Sequence, residues 1–297
     1  MTTQTLLKQL GFSETDRLVI LHADDIGMCQ ATLTAFDDLW RGGGVSSGAV
    51  MVPCPWFPSV AAYCRENPDV DMGVHATLNC EWDACRWGAV STCEPASGLL
   101  DENGYLHHNP EVTTNRVSSQ TVAVELEAQV KLALKNGIEI SHIDSHMGTI
   151  LHPKFIQTYL DQALSRRVPA MQPRVTAMGA KDLGATDESL ALLAPILEVI
   201  EARGMLLIDG IMMMPLHQPD GQLEIAKHML SNLPIGITHF IFHPAVDTPE
   251  LRALCPDWPS RVANYHTFMD PKIRHFINDQ GIHVIGYKHL RELMRNV

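Results

Sequence analysis

Short apolar runs alternate along this chain with segments of helical periodicity. The first run, Arg-Leu-Val-Ile-Leu-His at 17–22, is continuously apolar at its centre, which is typical of a strand buried on both faces of a parallel sheet. A helix is predicted over Gln30–Trp40, ended by three glycines at 42–44. Further strands are predicted at 47–52, 71–75, 138–143, 205–208, 239–242 and 282–286. This order predicts an α/β fold with a parallel sheet, open or closed into a barrel.

One long stretch, Asn79–Val117, breaks this pattern with Trp, Gly, Pro and polar residues. Loops of this length in compact domains are usually functional. The chain shows no internal repeat and no Pro-rich linker. We therefore expect residues 1–297 to form a single α/β domain with an active-site loop around 79–117.

The charge balance excludes two classes of partner. The chain carries 34 acidic and 22 basic residues, a net charge of −12, and the basic residues are scattered. Nucleic acid and anionic membrane surfaces are therefore not expected partners. The polar segment 1–12 lacks the apolar core of a secretory signal, so we expect a cytoplasmic protein. Seven cysteines without a C-x-x-C motif are expected to be reduced thiols.

Ionisable residues follow four of the predicted strands. Asp24 and Asp25 follow the first strand, His75 ends the third, and His243 follows the strand 239–242. The strand predicted at 138–143 ends in the pattern His142-x-Asp144-x-His146. Because the carboxyl ends of parallel strands share one face, these side chains are expected at one rim.

A divalent metal explains this set of residues economically. One carboxylate and two neutral imidazoles form a common ligand set that leaves positions open for water, and we predict Asp25, His75 and His146 as the ligands. Two adjacent carboxylates repel each other in a dry site, and a cation relieves that repulsion for one of them. Asp24 then remains free to act as a base.

Each feature also has a structural interpretation. Asp-Asp after a strand is often a turn or a helix cap, and an isolated His75 fits a core histidine. The His142–His146 pattern is more specific, because alternate residues of a strand load three polar groups onto one face. We interpret Met212–Met214 as apolar packing and His107-His108 as solvent-exposed, and we rank Cys29, Cys54 and Cys80 below the histidines as ligands. The glycines at 42–44 lack the lysine of a phosphate loop.

Taken together, five segments resemble the YdjC-like carbohydrate deacetylases, which include chitooligosaccharide deacetylase. These segments are His-Ala-Asp-Asp-Ile-Gly-Met at 22–28, Gly-Gly-Val-Ser-Ser-Gly-Ala-Val-Met-Val-Pro at 43–53, Gly-Val-His-Ala-Thr-Leu at 73–78, His-Ile-Asp-Ser-His at 142–146 and His-Pro-Ala at 243–245. The resemblance implies a distorted (β/α) barrel, similar to a TIM barrel, with one divalent metal. It implies Asp25, His75 and His146 as ligands, Asp24 as the catalytic base and His243 as an active-site residue.

The chain departs from the family pattern at several positions. Met147-Gly148-Thr149 follows the third metal residue where many relatives have histidines, and Ala76 and Asn264 replace a leucine and an acidic residue. The loop residues Trp82, Arg86 and Trp87 are predicted to bind substrate, because aromatic faces suit a sugar ring.

The predicted reaction is hydrolysis of an acetamide, with Asp24 as base and His243 protonating the leaving amine. Zinc or magnesium is the expected metal, with cobalt and nickel as further candidates, and the partner is a small-molecule or oligosaccharide substrate. Two alternatives stay open: a metal-dependent hydrolase of a non-sugar amide or ester, and a silent sugar-binding protein. The roles of His142 and Asp144 and the oligomeric state, including a homodimer, also stay open.

Overall fold

A curled sheet of parallel strands forms the centre of the molecule. The computed structural model describes residues 1–182 and 184–296. Within them the strand order is β4-β3-β2-β1-β7-β6-β5, and β8 pairs with the first half of β1. The strands are β1 Arg17–Ile26, β2 Ser47–Val50, β3 Met72–Ala76, β4 Ile143–Ser145, β5 Pro173–Met178, β6 Ile208–Met213, β7 Gly236–Phe242 and β8 Ile282–Val284.

Helices follow most of these strands and cover the outside of the sheet. They are α1 Thr3–Gln9, α2 Gln30–Gly42, α3 Phe57–Glu66, α4 Pro110–Arg116, α5 Ser119–Lys135, α6 Ile156–Ser165, α7 Asp187–Ala202, α8 Gln222–Ser231, α9 Pro249–Leu254, α10 Trp258–Met269, α11 Pro271–Asp279 and α12 Tyr287–Asn296. Two 3₁₀ segments, Pro95–Ser97 and His146–Leu151, lie in the long loop and directly after β4. Among the described residues, no helix is both long enough and apolar enough to cross a membrane.

The two outer strands of the sheet nearly meet. Ile143 of β4 forms an isolated parallel bridge to Ala170, and Met171 donates its N–H to the Ile143 carbonyl at 2.8 Å, just before β5 begins. The sheet therefore curls into a partial barrel, and the predicted distorted (β/α) barrel of mainly parallel strands is confirmed. Every residue of β1 after Arg17 is buried, as the continuous apolar run predicted.

Some predicted strand boundaries are wrong. The strand expected at 138–143 begins at Ile143, because residues 138–140 only lead from the turn at Gly137 into the sheet. The strand expected at 205–208 begins at Ile208 and continues through Met213. Residues 79–117 contain helix α4, which starts with Pro110 and is capped by the Asn109 side chain. Strand β5 was not predicted, because its residues carry no regular apolar pattern.

Candidate active site

An irregularity at the end of β1 turns two adjacent carboxylates to the same side. The β1–β2 register shifts between Ala23 and Ile26, and Asp25 has a left-handed backbone with φ 61°. Gly27 follows with φ 92°, a conformation that glycine adopts without strain. Asp24 Oδ2 and Asp25 Oδ1 therefore lie 3.8 Å and 3.5 Å from the same atom, His75 Nε2.

Three of the predicted residues bring one ligand atom each to a common point. Asp25 Oδ1 lies 3.5 Å from His75 Nε2 and 3.2 Å from His146 Nδ1. The three atoms lie within 4.8 Å of one another, and all three residues are buried. Asp25 Oδ1 is a buried acceptor that has no hydrogen-bond partner in the part of the chain that the structure describes. A carboxylate oxygen facing two imidazole nitrogens is the donor set that a divalent cation satisfies.

Each of these residues has a second polar atom that points away from the common point, here called its outer atom. A neighbouring side chain holds each outer atom in place. His75 Nδ1 lies 2.8 Å from Asp144 Oδ1, and His146 Nε2 lies 2.8 Å from Glu81 Oε2. Each carboxylate holds a proton on that outer nitrogen, so the opposite ring nitrogen is the one that can bind a metal once it has lost its own proton. Arg261 Nη1 donates to Asp25 Oδ2 at 2.8 Å, so Oδ1 faces inward. This arrangement fits a metal ion bound by these three residues.

The buried charges shift the pKa values of these groups. Burial raises the pKa of Asp25, but the Arg261 guanidinium and the two histidines outweigh it and hold that pKa well below its usual value. Burial lowers the pKa of His146, but Glu81 and Asp25 outweigh it and raise that pKa to about 9. The pKa of His75 is raised well above its usual value in the same way, because Asp144 and Asp24 oppose the effect of burial.

Asp24 and His243 lie beside this group of three. His22 Nδ1 contacts Asp24 Oδ1 at 2.6 Å, and His243 Nε2 lies 3.9 Å from Asp24 Oδ2. The backbone N–H of His243 donates to Asn264 Oδ1 at 2.8 Å, so the amide at position 264 fixes the chain after β7. Burial lowers the pKa of His243, although the carboxylates of Asp25 and Asp24 oppose this. The predicted base and acid thus lie next to each other beside the predicted ligands.

The long loop packs against this site through its aromatic residues. The Trp82 ring lies under the Arg261 guanidinium at 5.1 Å, and Trp87 meets both Trp82 and His146 edge to face at about 6 Å. The Trp87 indole N–H donates to the Asn79 carbonyl. Both rings are largely buried, with exposed fractions of 9% for Trp82 and 3% for Trp87.

Other loop residues bond within the loop itself. Arg86 donates to Asp101 at 2.9 Å and to the Leu106 carbonyl at 2.8 Å, so its guanidinium is already engaged. His107 was expected to be exposed and is buried, because its Nε2 bonds the Gly98 carbonyl at 2.8 Å inside the folded loop. That part of the prediction is wrong.

Sequence reasoning missed two contributors, Arg261 and the contact made by Glu81. Arg261 lies on α10, far along the chain from β1, and a single arginine among the apolar positions of a helix gives no sequence signal. Glu81 directly precedes Trp82 in the loop, but only the folded loop brings it to His146.

Known proteins are similar in sequence to most of this chain. The family model described as YdjC-like protein matches residues 18–279. A carbohydrate deacetylase of Thermus thermophilus is 30% identical over 289 residues, which cover 97% of this chain and 99% of that protein. A carbohydrate deacetylase of Thermoanaerobacter pseudethanolicus is 23% identical over 275 residues, which cover 93% of this chain and 100% of that protein.

The fold is shared with a solved structure from Enterococcus faecalis that is named as a cellobiose-phosphate cleavage protein. The two superimpose with a TM-score of 0.77 at 20% identity, over 93% of this chain and 99% of the other. At that identity the likeness concerns the fold alone. The family match over most of the chain and the relative at 30% identity decide the assignment: this chain belongs to the YdjC-like family.

Proposed function

We propose that this protein is a metal-dependent hydrolase that removes the acetyl group from an N-acetylated carbohydrate, releasing acetate and a free amino sugar. The carbohydrate deacetylases among its relatives support the reaction. The observation that carries the proposal is the convergence of Asp25 Oδ1, His75 Nε2 and His146 Nδ1, next to a free carboxylate oxygen of Asp24.

In this proposal Asp25, His75 and His146 hold one divalent cation. Two imidazoles and a carboxylate suit zinc, and cobalt, nickel and magnesium are the further candidates. The bound cation would lower the pKa of a water molecule and polarise the acetyl carbonyl. Asp144, Glu81 and Arg261 keep the three ligands oriented through the contacts at their outer atoms.

Asp24 is the proposed general base. Its Oδ1 is held by His22 at 2.6 Å, so Oδ2 is the oxygen that faces the site and accepts the proton of the attacking water. His243 is the proposed general acid, and its Nε2 lies on the same side as Asp24 Oδ2. In its protonated form His243 would give its proton to the departing amine, while Asp24 keeps the proton taken from water.

The loop residues Trp82, Arg86 and Trp87 are the proposed substrate-binding wall. The aromatic rings lie between Arg261 and His146, where a pyranose held by its acetamide at the site meets an apolar surface. Arg86 supports this wall from behind through Asp101 and Leu106.

A screen for acetate release tests the proposal. The chelator-treated protein is supplied with zinc, magnesium, cobalt or nickel and assayed on N-acetylated mono- and disaccharides. Acetate release that requires an added metal supports the proposal. Turnover confined to non-sugar amides or esters would favour the first alternative, and sugar binding without acetate release would favour a silent binding protein.

A further inference from the structure

A second cluster of histidine and aspartate side chains lies in the barrel interior next to the proposed active site. His22 and His239 come from the neighbouring strands β1 and β7, and Asp144 comes from β4. His142 precedes β4, and all four side chains are buried. The proposed deacetylation uses none of them as a ligand, base or acid.

The outer nitrogen of each ring already has a partner. His22 Nδ1 contacts Asp24 Oδ1 at 2.6 Å, and His142 Nδ1 contacts the Ser141 hydroxyl at 2.8 Å. His239 Nδ1 contacts the Tyr287 hydroxyl at 2.9 Å. Asp144 is held in the same way, since its Oδ1 lies 2.8 Å from His75 Nδ1. These contacts leave three Nε2 atoms and one carboxylate oxygen for the interior.

The remaining atoms lie close together. His22 Nε2 and His142 Nε2 share a hydrogen bond at 2.9 Å, and they lie 3.5 Å and 3.9 Å from Asp144 Oδ2. Ligand atoms placed about 2.0–2.2 Å from a tetrahedral zinc ion are roughly 3.4 Å apart. His22, Asp144 and His239 also belong to a group, with Asp24, that offers four ligand atoms within 4.8 Å.

Hydrogen bonding alone leaves this cluster incomplete. Asp144 Oδ2 and His239 Nε2 are both buried, and neither has a hydrogen-bond partner within residues 1–182 and 184–296. An unpaired carboxylate oxygen in a dry interior is unfavourable, and a cation is the group that satisfies an anionic oxygen and an imidazole lone pair together.

The backbone leaves room for this arrangement. Gly73 on β3 lies against the His142 ring, and a Cβ at position 73 would collide with three of its ring atoms. On its other side the His142 ring stacks on Tyr287, with centroids 3.9 Å apart. The same tyrosine therefore orients His142 by stacking and His239 by its hydroxyl.

We propose that this interior cluster is a second, structural metal site, formed by His22, Asp144 and His239. His142 is the fourth ligand in this proposal, and the ion would displace the proton that His22 Nε2 and His142 Nε2 share. Three imidazoles and one carboxylate favour zinc, cobalt or nickel over magnesium, which prefers oxygen ligands. Asp144 joins the two sites, with Oδ1 on His75 and Oδ2 toward the second ion. The proposal does not depend on the deacetylase activity.

Metal counting tests the site directly. The chelator-treated protein is titrated with zinc, ions per chain are counted by native mass spectrometry, and the wild-type crystal is examined for anomalous scattering at the zinc edge. We expect two zinc ions per chain in the wild type. We expect one in His239→Leu, one in Asp25→Asn and none in the double variant. Titration with magnesium should leave the interior site unfilled.

Tyr287→Phe keeps all four ligands, and it is the alternative test of the interior site if His239→Leu does not fold. Loss of an outer hydrogen bond on a metal-binding histidine typically weakens metal binding about 10- to 100-fold, so the second zinc should bind that much more weakly in this variant. The proposal is overturned if saturated wild type holds one zinc and His239→Leu holds the same one. It is also overturned if the wild-type crystal shows an ordered water, without anomalous signal, between Asp144 and His239. If zinc is lost in Asp25→Asn but not in His239→Leu, the interior site is disproved and the proposed active-site metal still stands.

Discussion

The polar side chains at the strand ends and those in the long loop have different partners. Asp25, His75 and His146 turn one atom each into a common space, and other residues hold their outer atoms. In the loop, the side chains of Arg86 and His107 instead donate hydrogen bonds to a carboxylate and a carbonyl oxygen of the loop itself. Side chains fixed on strands are thus aimed at the site, whereas the loop mostly stabilises itself.

Glu81 is the exception that connects the two regions. It is a loop residue, yet its carboxylate holds His146 Nε2 at 2.8 Å. The comparison therefore predicts three grades of effect. Strand-end variants should abolish metal binding, Glu81 variants should weaken it, and variants of the self-bonded loop residues should leave it unchanged.

The largest effect is expected for the ligand histidines. His75→Ala and His146→Ala should each lose the metal of the Asp25 site, because one of three protein ligands is removed. Elemental analysis measures the metal content, and acetate release measures the activity. His275→Ala, on the exposed surface of α11, is the matched control and should keep metal and activity. A variant that retains full metal at this site would remove its histidine from the ligand set.

A smaller effect is expected for the loop carboxylate. Glu81→Gln keeps the shape of the side chain but loses its charge, so His146 is held less firmly and metal affinity should fall about 10- to 100-fold. Asp83→Asn is the control, because the Asp83 side chain is fully exposed two residues away. Titration calorimetry compares the two. Equal metal affinities in the two variants would show that Glu81 does not support metal binding.

The third effect is a pH dependence of metal binding. Because the pKa of His146 is raised to about 9, its proton stabilises the metal-free protein fully below its ordinary pKa of about 6.5, and that stabilisation is lost as pH rises through about 9. The metal must displace this proton, so apparent affinity should increase with pH up to about 9. Calorimetry between pH 6.5 and 9.5 measures the slope. An affinity independent of pH over this range would contradict the assignment.

The smallest effect is expected for Arg86. Arg86→Met removes the contacts to Asp101 and Leu106, so the free energy of unfolding should fall by on the order of 1 kcal/mol. Metal content and kcat should stay at wild-type levels. Denaturant unfolding and steady-state kinetics measure these quantities. A large rise in KM with unchanged stability would instead show that the guanidinium contacts substrate directly.

The sequence predicted the sheet and the convergence of its ends for a simple physical reason. Apolar runs and strand-end polar residues are local patterns, and parallel topology brings those ends together. Asp24, Asp25, His75, His146 and His243 could therefore be selected before the fold was known. The family assignment rested on the same segments and is confirmed.

Residues that act through distant contacts could not be found in this way. Arg261 reaches Asp25 across 236 positions, and Tyr287 reaches His239 from a helix near the end of the chain. No periodicity or spacing records such pairs, because the contact depends on how α10 and α12 pack on the sheet. His107 shows the reverse error, since a polar residue in a loop became buried once the loop folded on itself.

The most direct test of the central claim compares the same substitution at two adjacent positions. Asp24→Asn should keep the metal bound at Asp25, His75 and His146 but lower kcat about 10²- to 10⁴-fold, because an amide cannot accept water's proton. Asp25→Asn should lose that metal. Metal content and kcat of the two purified variants decide the matter. Near-normal kcat in metal-loaded Asp24→Asn, or loss of the Asp25-site metal from it, would contradict the division of roles between the two carboxylates.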